Sequence, residues 1–242
     1  MSAYSIHQTD AFSFTGNQAA LAYMSHFSAG SYSERRFLLQ ELSIYQMAVT
    51  LPTASGNFGI CGNYMGFMEQ NETKMGLAYG RKLSDWLQAG VQFNYHTFQT
   101  AGYGSASAVS LAAAAIISLS EQLHMGLQIN NPSKTKIGKE SAERLPLVYT
   151  AGLGYEPSES LFLTAAMEKI EAKPLNIKTG LQYKLNDIVA VRGGVETATA
   201  SFYLGLGIWL QAFRLDAVAT IHPQLGFTPG LMLTYTPTAE KP

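Results

Sequence analysis

Apolar and polar residues alternate one by one along much of the chain, from about residue 57 towards the C-terminus. In the clearest segment, at 87–95, leucine, alanine, valine, phenylalanine and tyrosine alternate with glutamine, glycine and asparagine. The same period of two returns at 123–130 and at 175–184. This period is typical of β-strands, in which successive side chains point to opposite faces of the sheet. The pattern therefore predicts strands with one apolar and one polar face.

Turn-forming residues divide the chain into segments of roughly ten residues, which is the length that a tilted membrane-spanning strand requires. Short polar connectors, such as those at 83–85, 156–159 and 185–187, join neighbouring segments tightly. We predict about fourteen strands, at 25–33, 42–51, 57–67, 73–81, 85–98, 106–119, 122–130, 146–155, 160–170, 174–184, 187–196, 200–210, 212–221 and 227–236.

Two environments are compatible with this alternation, and composition favours one of them. A soluble β-sandwich covers its apolar face with protein, whereas a membrane barrel turns it outward to lipid. Charged residues make up 14% of the chain, against about 25% in typical soluble domains. The chain also carries 13 tyrosines and 12 phenylalanines, and it contains no apolar run long enough for a membrane-spanning helix. The sequence therefore predicts an all-β transmembrane antiparallel barrel.

Three similar motifs place a tyrosine a few residues before a turn. They are Gly-Leu-Ala-Tyr at 76–79, Gly-Leu-Gly-Tyr at 152–155 and Gly-Leu-Gln-Tyr at 180–183. Aromatic residues form girdles where outer-membrane barrels meet the membrane–water interface. We interpret these tyrosines as part of such a girdle.

The first residues of the chain differ from the rest. Residues 1–24 lack clean alternation and mix small with aromatic side chains, so we predict a short segment packed at or inside one end of the barrel. Its plug-forming residues are predicted to be Phe12, Phe14, Asn17 and Gln18. The barrel itself is predicted to occupy residues 25–237, followed by a C-terminal tail at 238–242.

If the apolar faces meet lipid, the polar faces line a lumen. The predicted lumen network consists of Gln92, Asn94, His96, His124, Gln128, Glu168, Lys178, Gln182, Arg192, Glu196, Arg214 and Asp216. Lys178, Arg192 and Arg214 could pair with Glu168, Glu196 and Asp216, and such pairing would neutralise the interior. Most connectors are short, so we expect a narrow or plugged lumen with a structural network of ion pairs.

Catalytic, metal and cofactor chemistry find little support in the sequence. The five histidines show no metal-ligand spacing, and Gly-x-Ser-x-Gly is absent. Cys61 is the only cysteine and is interpreted as a small apolar filler. The net charge of −1 and the lack of basic runs argue against nucleic-acid binding. We therefore predict no enzymatic activity, no metal and no cofactor.

Several short motifs resemble one known group of barrels. Residues 10–22 resemble the N-terminal Asn-Pro-Ala-Gly-Leu-Ala segment of the FadL-like superfamily, with Gln18 in place of the usual proline and Ala20 in place of the glycine. Residues 126–132 are similar to its Gly-x-x-Ile-x-Asn-Pro hairpin end, and 145–146 to the strand start that follows. Residues 222–230 are similar to the PorV/PorQ-type proteins of Bacteroidetes type IX secretion, which belong to this superfamily.

The resemblance implies a fourteen-stranded outer-membrane barrel with its N-terminal segment in or against the lumen. FadL-like members move hydrophobic compounds into the membrane through a lateral opening, whereas PorV-like members hold or shuttle cargo beside a larger translocation machine. The chain has few long connectors from which to build an outer capture site for fatty acids. No binding residue is therefore carried over from either branch.

Three functional hypotheses follow. The first is a non-enzymatic subunit of a larger envelope complex, for type IX-like secretion or for outer-membrane protein assembly. The second is a FadL-like channel for the uptake of small hydrophobic molecules, and the third is a soluble lipid-binding β-barrel. The expected partners are outer-membrane lipid and other outer-membrane or periplasmic proteins. Location in the Gram-negative outer membrane requires a signal peptide; the sequence shows none, so we expect that it has been removed.

Overall fold

The computed structural model describes residues 2–138 and 143–237, and these form a closed antiparallel barrel of fourteen strands. Each strand pairs with its neighbours along the chain, and the last strand pairs with the first. The strands are β1 (Ser28–Arg35), β2 (Ser43–Leu51), β3 (Asn57–Gly66), β4 (Gln70–Lys82), β5 (Leu87–Thr100), β6 (Gly104–Ser118), β7 (Leu123–Asn130), β8 (Val148–Tyr155), β9 (Leu161–Ile170), β10 (Leu175–Lys184), β11 (Val189–Glu196), β12 (Ser201–Leu210), β13 (Phe213–His222) and β14 (Gly226–Tyr235). The predicted all-β barrel is confirmed, and every predicted strand overlaps an observed one.

The alternation of the sequence becomes the two faces of the barrel wall. In β5 the side chains of Gln92 and Asn94 are buried in the lumen, whereas Val91 and Phe93 are about half exposed on the outside. This distribution is the reverse of that in a soluble protein, because polar groups lie inside and large apolar groups lie outside. An apolar band of this kind is suited to contact with hydrocarbon.

Helical structure is confined to short pieces outside the wall. The N-terminal segment contains 3-10 helices at Ser2–Tyr4 and Gln18–Tyr23 and a single turn of α-helix, α1 (Ser13–Gly16). Two further 3-10 turns, Arg36–Leu38 and Gln40–Leu42, lie in the first loop. Within the described residues, none of the helices has the length and apolar character needed to cross a membrane.

The two ends of the barrel differ in the position of the termini and of the one long connection, since most connections at both ends are short. The connections at 52–56, 83–86, 119–122, 156–160, 185–188 and 211–212 are short and lie at the same end as the two termini, which we call the terminal end. The opposite end, the loop end, carries the longest connection, at 131–147. In that connection the backbones of Lys136 and Arg144 form an isolated antiparallel β-bridge, and the amide of Gly138 donates to the Ser107 carbonyl of β6. The predicted tail at 238–242 lies outside the described residues.

The three motif tyrosines lie on the outer face close to the terminal end. Tyr155 is the last residue of β8, and Tyr183 precedes the last residue of β10; each has more than 40% of its surface exposed. Tyr79, in β4, packs against Phe58 of the neighbouring strand with a ring separation of 5.1 Å. An aromatic rim at this end has the position expected for a membrane interface.

The outer wall yields a depth-dependent prediction about stability. Leu206 lies near the middle of β12 and Leu210 ends the same strand, and both point outward. Leu206→Arg is expected to lower the free energy of unfolding in lipid vesicles by about 2–4 kcal/mol, because it places a charge near the bilayer midplane. Leu210→Arg, the matched control at the strand end, is expected to cost about 0–1 kcal/mol. Equal costs for the two variants in urea titrations would contradict a membrane-spanning wall.

Candidate functional site in the barrel lumen

The N-terminal segment, residues 2–24, lies inside the lumen at the terminal end. Tyr4 packs flat against β7 and β8, where Gly126, Gly152 and Gly154 face it without side chains. A Cβ atom at any of these three glycines would overlap Tyr4, so the close approach requires glycine. The ring of Tyr4 is almost fully buried there.

Amide groups attach the middle of this segment to the barrel wall. The side chain of Gln18 donates to Gln92 of β5 and accepts from Gln128 of β7, both at 3.1 Å. Asn17 donates to the carbonyls of Ala115 and Leu127, at 3.4 and 3.3 Å. Gln18 and Asn17 are almost fully buried, so these bonds satisfy polar groups that would otherwise be left without partners.

The apolar side chains of the segment pack on the β2–β4 side of the lumen. Phe14 and Leu21 are almost fully buried and form a small core with Ala48 and Ala78 of the wall. Asn57 of β3 donates to the carbonyls of Leu21 and Met24, at 2.6 and 2.7 Å, which holds the chain where it leaves the lumen to begin β1.

A cluster of buried charges fixes the opposite side of the segment. Arg214 of β13 donates to Asp10 of the segment and to Asp216 of the wall, both at 2.7 Å. Arg192 of β11 also donates to Asp216, and the two guanidinium groups lie 5.9 and 5.5 Å from the ring of Trp209. Burial alone would raise the pKa of Asp10, but the charge and hydrogen bond of Arg214, together with smaller contributions such as the Phe12 amide, hold that pKa below its usual value. The cluster links the segment to three strands.

A second polar contact lies where the segment begins. Ser5 donates its hydroxyl to Glu156, and the amide of Ile6 donates to the other oxygen of the same carboxylate at 3.2 Å. His124 of β7 is fully buried beside them, with its Nε2 atom 3.8 Å from Glu156. The Ser5 hydroxyl points to the carboxylate and not to the imidazole, so the group lacks the geometry of a nucleophilic triad.

A cavity of about 720 Å³ remains between the N-terminal segment and the loop end, on the side of the barrel formed by β7–β14 and β1. Its floor is formed by the segment, through Tyr4, Phe12 and Thr15. Its walls combine apolar and aromatic groups with charged ones. They include Tyr32, Glu34, Ala166, Glu168, Lys178, Glu196, Tyr203, Val218 and Met232. The cavity is large enough for a small organic molecule.

Ten of the twelve predicted lumen residues fall into three groups, and His124 lies beside Glu156 as described above. Gln92, Asn94 and Gln128 join Gln18 and Asn17 in the amide contacts, and Gln182, Arg192, Arg214 and Asp216 belong to the charge cluster at Asp10. Lys178, Glu168 and Glu196 line the cavity together with Phe12. His96 lies apart from these groups, on β5, with its Nε2 atom 3.0 Å from the Ser110 hydroxyl.

The predicted pairing of the charges differs from the observed pairing at Glu196. Lys178 contacts Glu168 at 2.9 Å, and Arg192 and Arg214 contact Asp216. Glu196, however, forms no ion pair among the described residues and accepts from the Thr199 hydroxyl. The reason is geometric, because Glu196 ends β11 near the loop end whereas both arginines lie deeper.

Sequence reasoning also missed four residues of the site, namely Tyr4, Ser5, Asp10 and Glu156. Tyr4, Ser5 and Asp10 precede the predicted plug residues. Glu156 lies in a short polar connector whose sequence is typical of an ordinary turn. An available signal was the set of lumen-facing glycines in β7 and β8, since empty inward positions on adjacent strands indicate that something packs against them. Within residues 2–138 and 143–237, no group of three or more histidine, cysteine, aspartate or glutamate side chains could hold a metal ion.

Comparisons with known proteins relate the chain by fold and not by sequence family. No protein-family profile matches the sequence, and no curated protein does. Among solved structures, the Pseudomonas putida toluene transporter TodX is similar, with a TM-score of 0.68 at 10% identity over 97% of both chains. A Pseudomonas aeruginosa FadL homologue has a TM-score of 0.59 at 11% identity over 91% of both chains. The Acinetobacter baumannii outer membrane protein Omp33 also has a TM-score of 0.59, at 10% identity over 87% of this chain and 97% of its own.

At these identities the similarity establishes the fold. By fold, this fourteen-stranded chain is an antiparallel barrel similar to the outer-membrane barrels TodX and the FadL homologue. In this chain the lumen contains an inserted N-terminal segment and, above it, a cavity of molecular size.

Proposed function

We propose that this protein is a non-enzymatic channel of the Gram-negative outer membrane that takes up small hydrophobic molecules. The observation that carries the proposal is the cavity above the N-terminal segment, which reaches the loop end and whose lining combines aromatic and aliphatic side chains with charged ones. Both termini of bacterial barrels lie at the periplasmic end, so the loop end, which carries the longest connection, would face the exterior. A solute would then meet the cavity first and the N-terminal segment second.

The charge cluster and the amide contacts give the N-terminal segment its role in this proposal. They hold it across the terminal end, so that water and ions have no wide path through the barrel. A closed lumen with a solute-sized cavity suits a channel for specific small molecules better than an open porin. The similarity to a toluene transporter and to a FadL homologue supports the same proposal.

The other two sequence-based hypotheses receive less support. A soluble lipid-binding barrel would have to expose its apolar outer wall to water, including Leu204, Leu206 and Phe202 at 43–57% exposure on β12 alone. A subunit of a secretion or assembly complex stays a prediction, because none of the similar structures described above is named for such a complex. The comparisons support the channel hypothesis better than the subunit hypothesis.

The proposal is tested by uptake of radiolabelled toluene into cells that lack their own hydrophobic-compound channels. Cells that produce the protein are expected to accumulate toluene faster than cells carrying an empty vector. Gly194→Phe is expected to reduce the rate to the vector level, because residue 194 lies two positions from both Arg192 and Glu196 and so points to the same face of β11, into the cavity.

The matched control is the adjacent glycine of the same strand. In Gly193→Phe the new side chain points outward to lipid, at nearly the same position along β11 as in Gly194→Phe. This variant is expected to leave uptake unchanged. Uptake no faster than the vector control, with the folded barrel verified in the membrane, would overturn the proposal.

A further inference from the structure

We propose that the cavity selects by charge, accepting neutral and cationic aromatic solutes and excluding those that carry a carboxylate. This inference rests on the proposed uptake function and adds the class of solute. It follows from the charges that surround the cavity and from how each of them is already paired.

Carboxylates outnumber cationic groups around the cavity. Four acidic side chains line it, against three basic ones, namely Asp10, Glu34, Glu168 and Glu196 against Lys178, Arg192 and Arg214. Two further charged residues form ion pairs with members of this set: Asp216, which adds one negative charge, and Arg36, which adds one positive charge. The described surroundings therefore carry a formal charge of −1.

The cationic groups that line the cavity are already engaged. Lys178 contacts Glu168 at 2.9 Å, and Arg214 is held between Asp10 and Asp216. Arg192 is bound to the same Asp216 carboxylate and to Gln182. A fatty acid or benzoate in the cavity would have to break one of these pairs, and a broken buried pair leaves its partner charge uncompensated.

The acidic groups are less fully neutralised, particularly near the loop end. Glu196 forms no ion pair within the described parts of the chain and accepts hydrogen bonds from Thr199 and Tyr203. Glu34 accepts from the Tyr32 hydroxyl and from Arg36, whose side chain is half exposed. An anionic solute would meet these two carboxylates first as it enters, whereas a cation would be attracted to them.

Aromatic rings give the same preference a second physical basis. Tyr32 and Tyr203 line the upper cavity and Phe12 forms part of its floor. Faces of aromatic rings attract cations through their quadrupole and pack well against neutral aromatic solutes. The negative ring faces repel a carboxylate, and the hydroxyls of Tyr32 and Tyr203 already donate to Glu34 and Glu196. The lining thus favours a neutral ring or a ring that carries an ammonium group.

The test compares three solutes of nearly equal size and different charge at neutral pH: benzyl alcohol, benzylammonium and benzoate. Their uptake is measured in porin-deficient cells that produce the protein, with toluene uptake measured in the same cells. Benzyl alcohol and benzylammonium are expected to enter faster than in vector cells, and benzoate at the vector rate. Entry of benzoate as fast as benzylammonium would overturn the inference.

Two variants should shift the selectivity in opposite directions. Glu196→Gln removes a cavity carboxylate that has no ion pair among the described residues and is expected to raise the ratio of benzoate to benzylammonium uptake on the order of fivefold. Lys178→Gln frees Glu168 and is expected to lower that ratio. Asp85→Asn, in an exposed turn at the terminal end, is the control and should leave the ratio unchanged. A shift in the same direction for both lumen variants would contradict the role assigned to these charges.

Failure of the inference and failure of the proposed function give different results. Absence of toluene uptake would count against the channel itself. Normal toluene uptake together with equal entry of benzoate and benzylammonium would leave the channel intact and overturn only the charge selectivity.

Discussion

Arg214→Met is expected to destabilise the folded barrel by about 3–5 kcal/mol, the cost of breaking a buried ion pair by removing one partner. Arg214 joins Asp10 of the N-terminal segment to Asp216 of β13, and both carboxylates are buried. Methionine retains much of the length of arginine and its packing against Trp209. The loss of stability therefore reflects mainly the loss of the positive charge.

The free energy of unfolding in urea, with the barrel in lipid vesicles, checks this expectation. Arg81→Met is the matched control, because Arg81 is exposed on the outer side of β4 and forms no ion pair among the described residues. Its stability should stay within about 0.5 kcal/mol of the unmodified protein. A stable Arg214→Met variant would mean that the charge cluster does not hold the segment in place.

Gly90→Val is expected to displace the N-terminal segment and open the lumen to ions. Gly90 faces inward from β5, and a Cβ atom there would lie 2.7 Å from the backbone nitrogen of Ala19 and closer still to the backbone of Gln18. Backbone atoms held by the amide contacts to Gln92 and Gln128 cannot yield by a rotamer change, so the segment must move.

Single-channel recording in planar bilayers checks this second expectation. The unmodified protein should show little steady conductance, and Gly90→Val should show large conductance steps. Gly62→Val is the control, because Gly62 faces outward from β3 and a Cβ atom there meets no atom of the described residues within 4 Å. Equal conductance of Gly90→Val and the unmodified protein would contradict the placement of the segment as the barrier.

The wall of this barrel could be predicted from the sequence because each strand repeats one local rule. In β5 every second residue is apolar, and the rule holds from Leu87 to Tyr95 without dependence on distant parts of the chain. Strand ends were predicted within three residues, since turn residues mark them locally. Strand order follows from short connections between antiparallel neighbours.

The contents of the lumen could not be predicted in the same way, because they depend on pairs far apart in sequence. Asp10 and Arg214 are separated by 204 residues, and no local pattern links them. Tyr4 packs against glycines of β7 and β8, which lie far from it in the sequence and adjoin it only in the closed barrel. Glu196 was expected to pair with one of the lumen cations, but the position of each side chain along its strand determines which charges come into contact.

The channel account is tested most directly by locating a bound aromatic solute in crystals of the protein. Bromobenzene carries an anomalous scatterer and is close to toluene in size and polarity. The account predicts an anomalous peak inside the barrel, in the cavity between Phe12 and Tyr203, and loss of that peak in Gly194→Phe crystals. Anomalous peaks confined to the outer wall, or an empty cavity at a saturating concentration of bromobenzene, would contradict it.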